Sequence, residues 1–571
     1  MAMIETNLYT PAGPTPFLDS MNEYRTGAVR STECEVALQF GLFFDGTDNN
    51  YDRDKMALGD SNIARLWKSY PRRPEAGISR LYVPGVGTKF AEIGAEAEGW
   101  RGTAFGIGCE ARVLYALLKT LEFVRHFIDP QMPAFTKDQL NVLCQYNIVT
   151  SKAKEQTLLN MGLACGLQEL GDDLGRRRQA YFRRETADLE KKSRSSAVRV
   201  KSIVIDIFGF SRGAAEARAY ATWLCEALVS GKYAGIPLTI RFMGLLDTVA
   251  SAGLVEMVAS ALKKSTGGHS GWARPESLRI PPQTLNCVHF VAMHEFRKNF
   301  PVDSISRAGT GPQNLHEFAY PGSHSDVGGG YSPGELGIAA GIAAPLADAM
   351  KLSQIPLNHL YEYALAAGVP LSKEAAKDVR SHYDPFAVSE DLRSAFNSFL
   401  NVNGTDKRTL ADWAKVYLAW RWNIRERYSE VGHVRRAKKD KHLLLWANRK
   451  LIADADRLLS KEGRRLGRAF AVKDMIYKSG PPALGLITPV AISDELEDEA
   501  DAVLRQAIAF GVPVNRFADF FDHYVHDSYA GFCADLKEPT GYWRYRKGFQ
   551  GSDKPQSAEL DDDNTKLQQI A

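Results

Sequence analysis

No apolar run in this chain reaches the roughly 20 residues that a membrane-spanning helix needs. The longest, residues 336–347, is interrupted by Gly337, Gly341 and Pro345. The opening stretch MAMIETNLYTPAGP carries neither a basic nor an apolar segment, so a Sec leader is not expected. Cysteine is sparse. Cys34, Cys109, Cys144, Cys165, Cys225, Cys287 and Cys533 lie far apart, with no C-x-x-C pair. That spacing excludes a zinc-ribbon pattern and suits a reducing compartment. Neither sign of charge dominates: 71 Lys and Arg face 68 Asp and Glu. A net charge of +3 leaves no nucleic-acid footprint, and no nucleic-acid partner is expected. Internal repeats and long low-complexity segments are missing as well. What remains is 571 residues, 44% hydrophobic and 24% charged, enough for a large buried core and more than one domain-sized unit.

The first part of the chain alternates strand-like and helix-like segments. Residues 35–44 (EVALQFGLFF), 80–83, 198–208, 238–246, 285–293 and 315–320 read as strands. Residues 103–127 and 214–229 read as helices. Alternation of this kind predicts an α/β fold with a mostly parallel sheet, whose chemistry sits beyond the C-terminal strand ends. Residues 130–197 are charge-rich and read as a mostly helical insertion. Strand signals fade after residue 332, where 351–369 and a long stretch, 405–456, read as helices. The expected organisation is a catalytic domain over 30–370, a helical C-terminal region over 371–555 and a flexible tail over 556–571.

The segment VIDIFGFSRGAAEA (204–217) holds the first chemical signal. Gly209-Phe210-Ser211-Arg212-Gly213 fits G-x-S-x-G between a strand and a helix. A serine on so sharp a turn needs Gly209 and Gly213 because a side chain at either place meets the strand or the helix. The competing reading is an ordinary strand–helix turn. A serine hydroxyl is a weak nucleophile and needs a histidine oriented by a carboxylate. Asp247 ends the next strand and is the candidate acid, or else a strand-end helix cap. His324, in PGSHSDVGGGY (321–331), is the candidate base, or else an exposed turn histidine. His526 is the rival base, and His289 and His294 read as core or edge residues. The N–H of Arg212 at the helix start is one oxyanion donor. A second is expected from Gly46 or Thr47 in DGTDNN (45–50), with an acidic metal loop or a plain turn as alternatives. This chemistry calls for no metal and no organic cofactor.

Two segments suit a bilayer surface. Residues 253–264 (GLVEMVASALKK) form an apolar face beside lysines, either a lid or a helix packed on the sheet. The stretch 413–449 combines Trp420 and Trp422 with a run of Arg and Lys, either a headgroup contact or a solvated helix face.

Taken together, FFDGTDNN (43–50), YVPGVGT (82–88), GFSRGAAEAR (209–218), LLDTVAS (245–251) and PGSHSDVGGGY (321–331) resemble, in order, a widespread α/β-hydrolase family of bacteria and fungi. Within it the chain resembles type VI secretion lipase effectors of the first class. The resemblance spans about residues 35–370, with FFDHYVHDSYAGF (520–532) also similar. It implies an antibacterial phospholipase A toxin with Ser211 as nucleophile, His324 as base and Asp247 as acid. It further implies a phospholipid membrane as substrate, a type VI spike protein as carrier and a cognate immunity protein. Such a chain is made in the bacterial cytoplasm, exported without a signal peptide, and acts on the target membrane from the periplasm. A soluble carboxylesterase on the same fold, and a non-catalytic protein docking a secretion spike, are the alternatives.

Overall fold

The computed structural model describes residue 6 and residues 35–95, 108–144, 151–169, 173–196, 198–250, 271–297, 300–305, 314–377, 383–406, 408–460, 494–530, 541–546 and 548–549. Six strands build its centre: β1 (Glu35–Phe44), β2 (Ile78–Val83), β3 (Arg199–Phe210), β4 (Ile236–Leu246), β5 (Thr284–Ala292) and β6 (Leu315–Tyr320). They lie in the order β2-β1-β3-β4-β5-β6, every neighbouring pair parallel. A two-residue strand, Lys232–Tyr233, pairs antiparallel with β4. The fold is an α/β hydrolase-like one, as the alternating pattern predicts. Strand limits shift by at most two residues from the sequence reading, and β1 and β6 match it.

Both faces of the sheet are covered, so its strands are apolar along most of their length. Alternation still assigns each side chain to a face. Phe43, Phe208 and Phe210 join one core, whereas Leu38, Phe40, Leu42, Ile203, Ile205 and Ile207 join the other. The second face is covered by α1 (Cys109–Ile128), α2 (Arg176–Ser193) and α3 (Arg212–Glu226). Two short helices, Lys137–Cys144 and Lys152–Asn160, lie with α2 in the region read as a helical insertion. On the first face α4 (Gln354–Ala366) packs on the strands. The same core continues through α5 (Glu390–Asn403), α6 (Leu410–Ile424), α7 (Lys441–Leu459), α8 (Asp494–Ile508) and α9 (Ala518–Tyr524).

The single long helix expected over 405–456 is broken. After α6 come a 3-10 turn (Arg425–Glu430) and a short helix (Gly432–Arg436), then α7. The break has a physical cause. The Asp522 carboxylate accepts the His433 N–H at 2.5 Å and its Nδ1 at 2.8 Å, so a new helix starts there. Trp420 is only 2% exposed and packs on Phe521 and Tyr417. Trp422 is half-buried against Trp543. Burial withdraws Trp420 from the headgroup contact read for this stretch, while the Arg425 guanidinium lies over the Trp422 ring at 3.8 Å. Aromatic residues spread around a helix mark burial on more than one side, and that was the stronger signal. The proposed apolar helix at 253–264 and the tail at 556–571 lie outside the described residues. Among the described residues no helix is long and apolar enough to cross a membrane.

One buried ionic cluster ties the central strands. Asp206 on β3 accepts Arg241 Nε at 2.9 Å and Nη2 at 2.5 Å, and Tyr70 Oη at 2.8 Å. Removing one partner strands the others in a low-dielectric interior. Asp206→Ala is therefore expected to cost about 3–5 kcal/mol of stability. Chemical denaturation would measure it, and a loss near zero would show that water reaches the cluster.

Candidate active site

The sheet order sets the site's position. From β1 the chain crosses to β2 on one side and returns to β3 on the other. In a parallel sheet the crevice opens at that reversal, beyond the C-terminal strand ends. Residues 45–47 leave β1 there, and Ser211 leaves β3 beside them.

Ser211 has φ 58° and ψ −127°, a conformation that costs a non-glycine residue energy. Backbone hydrogen bonds hold it on both sides. Its N–H donates to the Leu246 carbonyl at 2.9 Å, and its carbonyl accepts from Ala214 at 3.1 Å and from Val249 at 3.2 Å. The flanking glycines are steric necessities. A Cβ on Gly213 would lie 2.3 Å from the Asp45 carbonyl oxygen, and one on Gly209 would lie 2.6 Å from Ala214 Cα. The turn thus wedges the start of α3 against the end of β1. Arg212 is the first residue of α3, a position whose N–H the helix's own ladder does not use.

Asp247 follows β4, buried, with φ 46°. Its Oδ2 meets His324 Nδ1 at 2.5 Å, and its Oδ1 accepts the Ala292 N–H at 2.9 Å. Burial alone would raise its pKa. The Arg546 guanidinium and the His324 ring outweigh burial and hold it far below the usual carboxylate range. His324 opens a short helix (His324–Gly328) fixed by a Ser323–Asp326 capping box. Its ring lies 4.7 Å from Phe210, the residue before Ser211, and 5.0 Å from Phe300, centroid to centroid. Burial lowers the His324 pKa, and the contact with Asp247 only partly restores it. Among the described residues no hydrogen bond joins Ser211 Oγ to His324, and Ser211 is 2% exposed.

The loop after β1 separates its two oxyanion candidates. The Gly46 N–H donates to Asp45 Oδ1 at 2.8 Å, so it is already engaged. Gly46 is there for space, since a Cβ would lie 2.4 Å from the Phe210 ring. The Thr47 Oγ1 is buried without a hydrogen-bond partner among the described residues. Burial pushes the Asp45 carboxyl up to about 6, against hydrogen bonds from Ser61, Tyr82 and Gly46. Asp48 faces Arg53 at 3.0 Å instead of turning toward Asp45. Among the described residues no group of three or more His, Cys, Asp or Glu could hold a metal ion.

The other histidines have different partners. His526 Nδ1 meets Asp326 at 2.6 Å and its ring stacks on Tyr331 at 3.8 Å, away from Asp247. His289 Nε2 accepts the Thr248 N–H at 3.0 Å while Nδ1 meets Glu317 at 2.7 Å. His294 is buried among aromatic rings, and burial takes its pKa down to about 3. Sequence reasoning missed three groups around the dyad: Glu295, which accepts the His324 N–H at 3.3 Å, Phe300 and Arg546. No spacing signals Arg546, which lies 299 residues beyond Asp247.

A strained serine at the switch point of a parallel sheet, beside a buried carboxylate–imidazole pair, is the arrangement of an α/β hydrolase-like protein. Residues 225–363 match the model of the type VI secretion system Tle1-like phospholipase effector catalytic domain. The match includes Asp247 and His324 and begins downstream of Ser211. Among solved structures, an uncharacterized protein from Pseudomonas aeruginosa is 26% identical with a TM-score of 0.64, over 94% of this chain and 81% of that one. A Tle1 effector bound to the VgrG spike of the type VI system is 16% identical with a TM-score of 0.32, over 68% of this chain and 89% of that one. No curated protein matches the chain.

The close contact of α3 with β1 generates a test. Gly213→Ala forces a methyl onto two backbone carbonyls, which cannot rotate away as a side chain would. The expected cost is about 1–3 kcal/mol in thermal unfolding, with loss of ester hydrolysis as Ser211 is displaced. Unchanged stability and activity would show that the two elements can part.

Proposed function

We propose that the chain is a phospholipase A that cleaves acyl esters of glycerophospholipids through Ser211, His324 and Asp247. The observation that carries this reading is the 2.5 Å pair of His324 Nδ1 and Asp247 Oδ2 beside the strained Ser211 turn. The Tle1-like match over 225–363 supplies the substrate class.

Asp247 fixes the imidazole so that Nδ1 carries the proton and Nε2 is the base. Ser211 Oγ turns toward Nε2 as substrate enters, since such hydrogen bonds tighten only in the complex. His324 takes the hydroxyl proton and Oγ attacks the ester carbonyl carbon. The tetrahedral oxyanion is received by the N–H groups of Arg212 and Thr47. The intermediate collapses, the C–O bond breaks, and His324 returns its proton to the departing lysophospholipid. Water, activated by His324, then releases the fatty acid. Delivery on a type VI spike, attack on the target membrane from the periplasm, and restraint by a cognate immunity protein belong to the same proposal.

Mixed phosphatidylethanolamine and phosphatidylglycerol vesicles provide the assay, with products resolved by mass spectrometry. Wild type is expected to yield fatty acid and lysophospholipid, and Ser211→Ala to lose at least about 10³-fold. Equal products from both would refute Ser211 as nucleophile. Intact lipid with turnover of a short soluble ester would favour a carboxylesterase.

The pH profile tests the base separately. His324 must be neutral to act, and burial depresses its pKa. Activity therefore persists as pH falls through the ordinary histidine value near 6.5 and is lost only below it. An acid limb of kcat/KM centred above that value would contradict the burial of His324.

A further inference from the structure

The C-terminal end of the described chain reaches the catalytic pair. Residues 541–546 are anchored by two buried aromatic side chains. Tyr542 Oη donates to Asp527 at 2.5 Å, and Trp543 Nε1 donates to the Leu451 carbonyl at 3.0 Å. Beyond them Gly548 and Phe549 pair in parallel with Val302 and Asp303. Asp303 Oδ2 in turn accepts the Ala250 N–H at 2.8 Å, so this pairing props the loop that follows Asp247. Between the two anchors Arg546 is buried. Its Nη1 donates to Asp247 Oδ1, and its Nε donates to the Phe300 carbonyl, whose ring lies on His324.

We propose that Arg546 is a positioning residue for the Ser211–His324–Asp247 reaction: it holds Asp247 Oδ1 so that Oδ2 remains for His324 Nδ1, and its charge keeps His324 neutral. This inference rests on the acyl-transfer reading of the site. The surrounding charges make it specific. Asp247 and Glu295 are two buried carboxylates, and Arg297 and Arg546 are the two guanidiniums that offset them. Arg297 is committed to Glu295 through Nε and Nη2, both at 2.9 Å, and Ser528 Oγ donates to the same carboxylate at 3.3 Å. Behind Asp247 the His289–Glu317 pair is internally matched, as is His526 with Asp326 beyond the His324 helix. Arg546 is thus the cation assigned to Asp247 when His324 is neutral. Without it the carboxylate draws a proton onto the imidazole, and the base is spent before substrate arrives. The C-terminal region is, on this account, part of the catalytic apparatus.

The test uses the full chain with Arg546→Met and Arg546→Gln, which remove the charge, and Arg546→Lys, which keeps it. The His324 imidazole is titrated by NMR with labelled histidine and assigned by difference against His324→Gln. In the neutral variants the midpoint is expected to rise by about one unit, a tenfold gain in proton affinity, with Lys returning it toward wild type. The acid limb of kcat/KM should move the same way, and kcat should fall on the order of tenfold. A residue that only holds the fold would lower the melting temperature and leave both midpoints in place. If one neutral variant fails to fold, the other decides. A folded neutral variant with an unmoved His324 midpoint overturns the inference. The function reading fails separately, if Ser211→Ala hydrolyses lipid as wild type does, and the titration still decides Arg546.

Discussion

The buried carboxylate of Asp247 is where four stretches of this chain converge. It hangs from the end of β4, accepts a backbone N–H from the end of β5, meets the imidazole of the loop after β6, and takes a guanidinium from near the C-terminus. A naked carboxylate in such a place would be expelled or protonated. It stays ionised because burial is outweighed by Arg546 and His324. The arrangement around it follows from that need. Cations are brought in, Arg546 to Asp247 and Arg297 to Glu295, and the imidazole is held through Nδ1 against the Asp247 carboxylate.

The sheet supplies the second constraint. Its reversal between β1 and β3 leaves room at one end only, and the chain places three strained or crowded features there. Ser211 has a left-handed backbone, Gly213 touches β1, and Gly46 touches the Phe210 ring. Strain of this kind persists because neighbouring strands and helices overdetermine it. The buried Asp206–Arg241–Tyr70 cluster and the two apolar cores provide that rigidity.

Much of this was legible in the sequence, for reasons that differ by element. The strands were readable because they are buried on both faces and end at Gly, Asp or Pro-Gly signals. Ser211 was readable because a strained turn forces glycines at fixed offsets, and Asp247 and His324 because each follows an apolar strand. The break after Ile424 was not, since it depends on Asp522, a carboxylate 89 residues from the His433 N–H it captures. Trp420 was misread for a related reason: its neighbours in sequence are basic, but its neighbours in space are aromatic. Arg546 was invisible because no local pattern marks a residue whose partner lies in another part of the chain. Of the two oxyanion candidates after β1, the Gly46 N–H is engaged by the Asp45 carboxylate, an orientation that no sequence pattern marks.

The most direct test of the account is a covalent one. A fluorophosphonate reacts with a serine only where a base activates it and an oxyanion site receives the phosphoryl oxygen. The wild-type chain, labelled and mapped by peptide mass spectrometry, is predicted to carry one adduct, on Ser211. That adduct should be lost in His324→Ala and slowed in Asp247→Asn. An adduct on another residue, or labelling of Ser211 that ignores His324, would contradict the assignment of these three residues to one reaction.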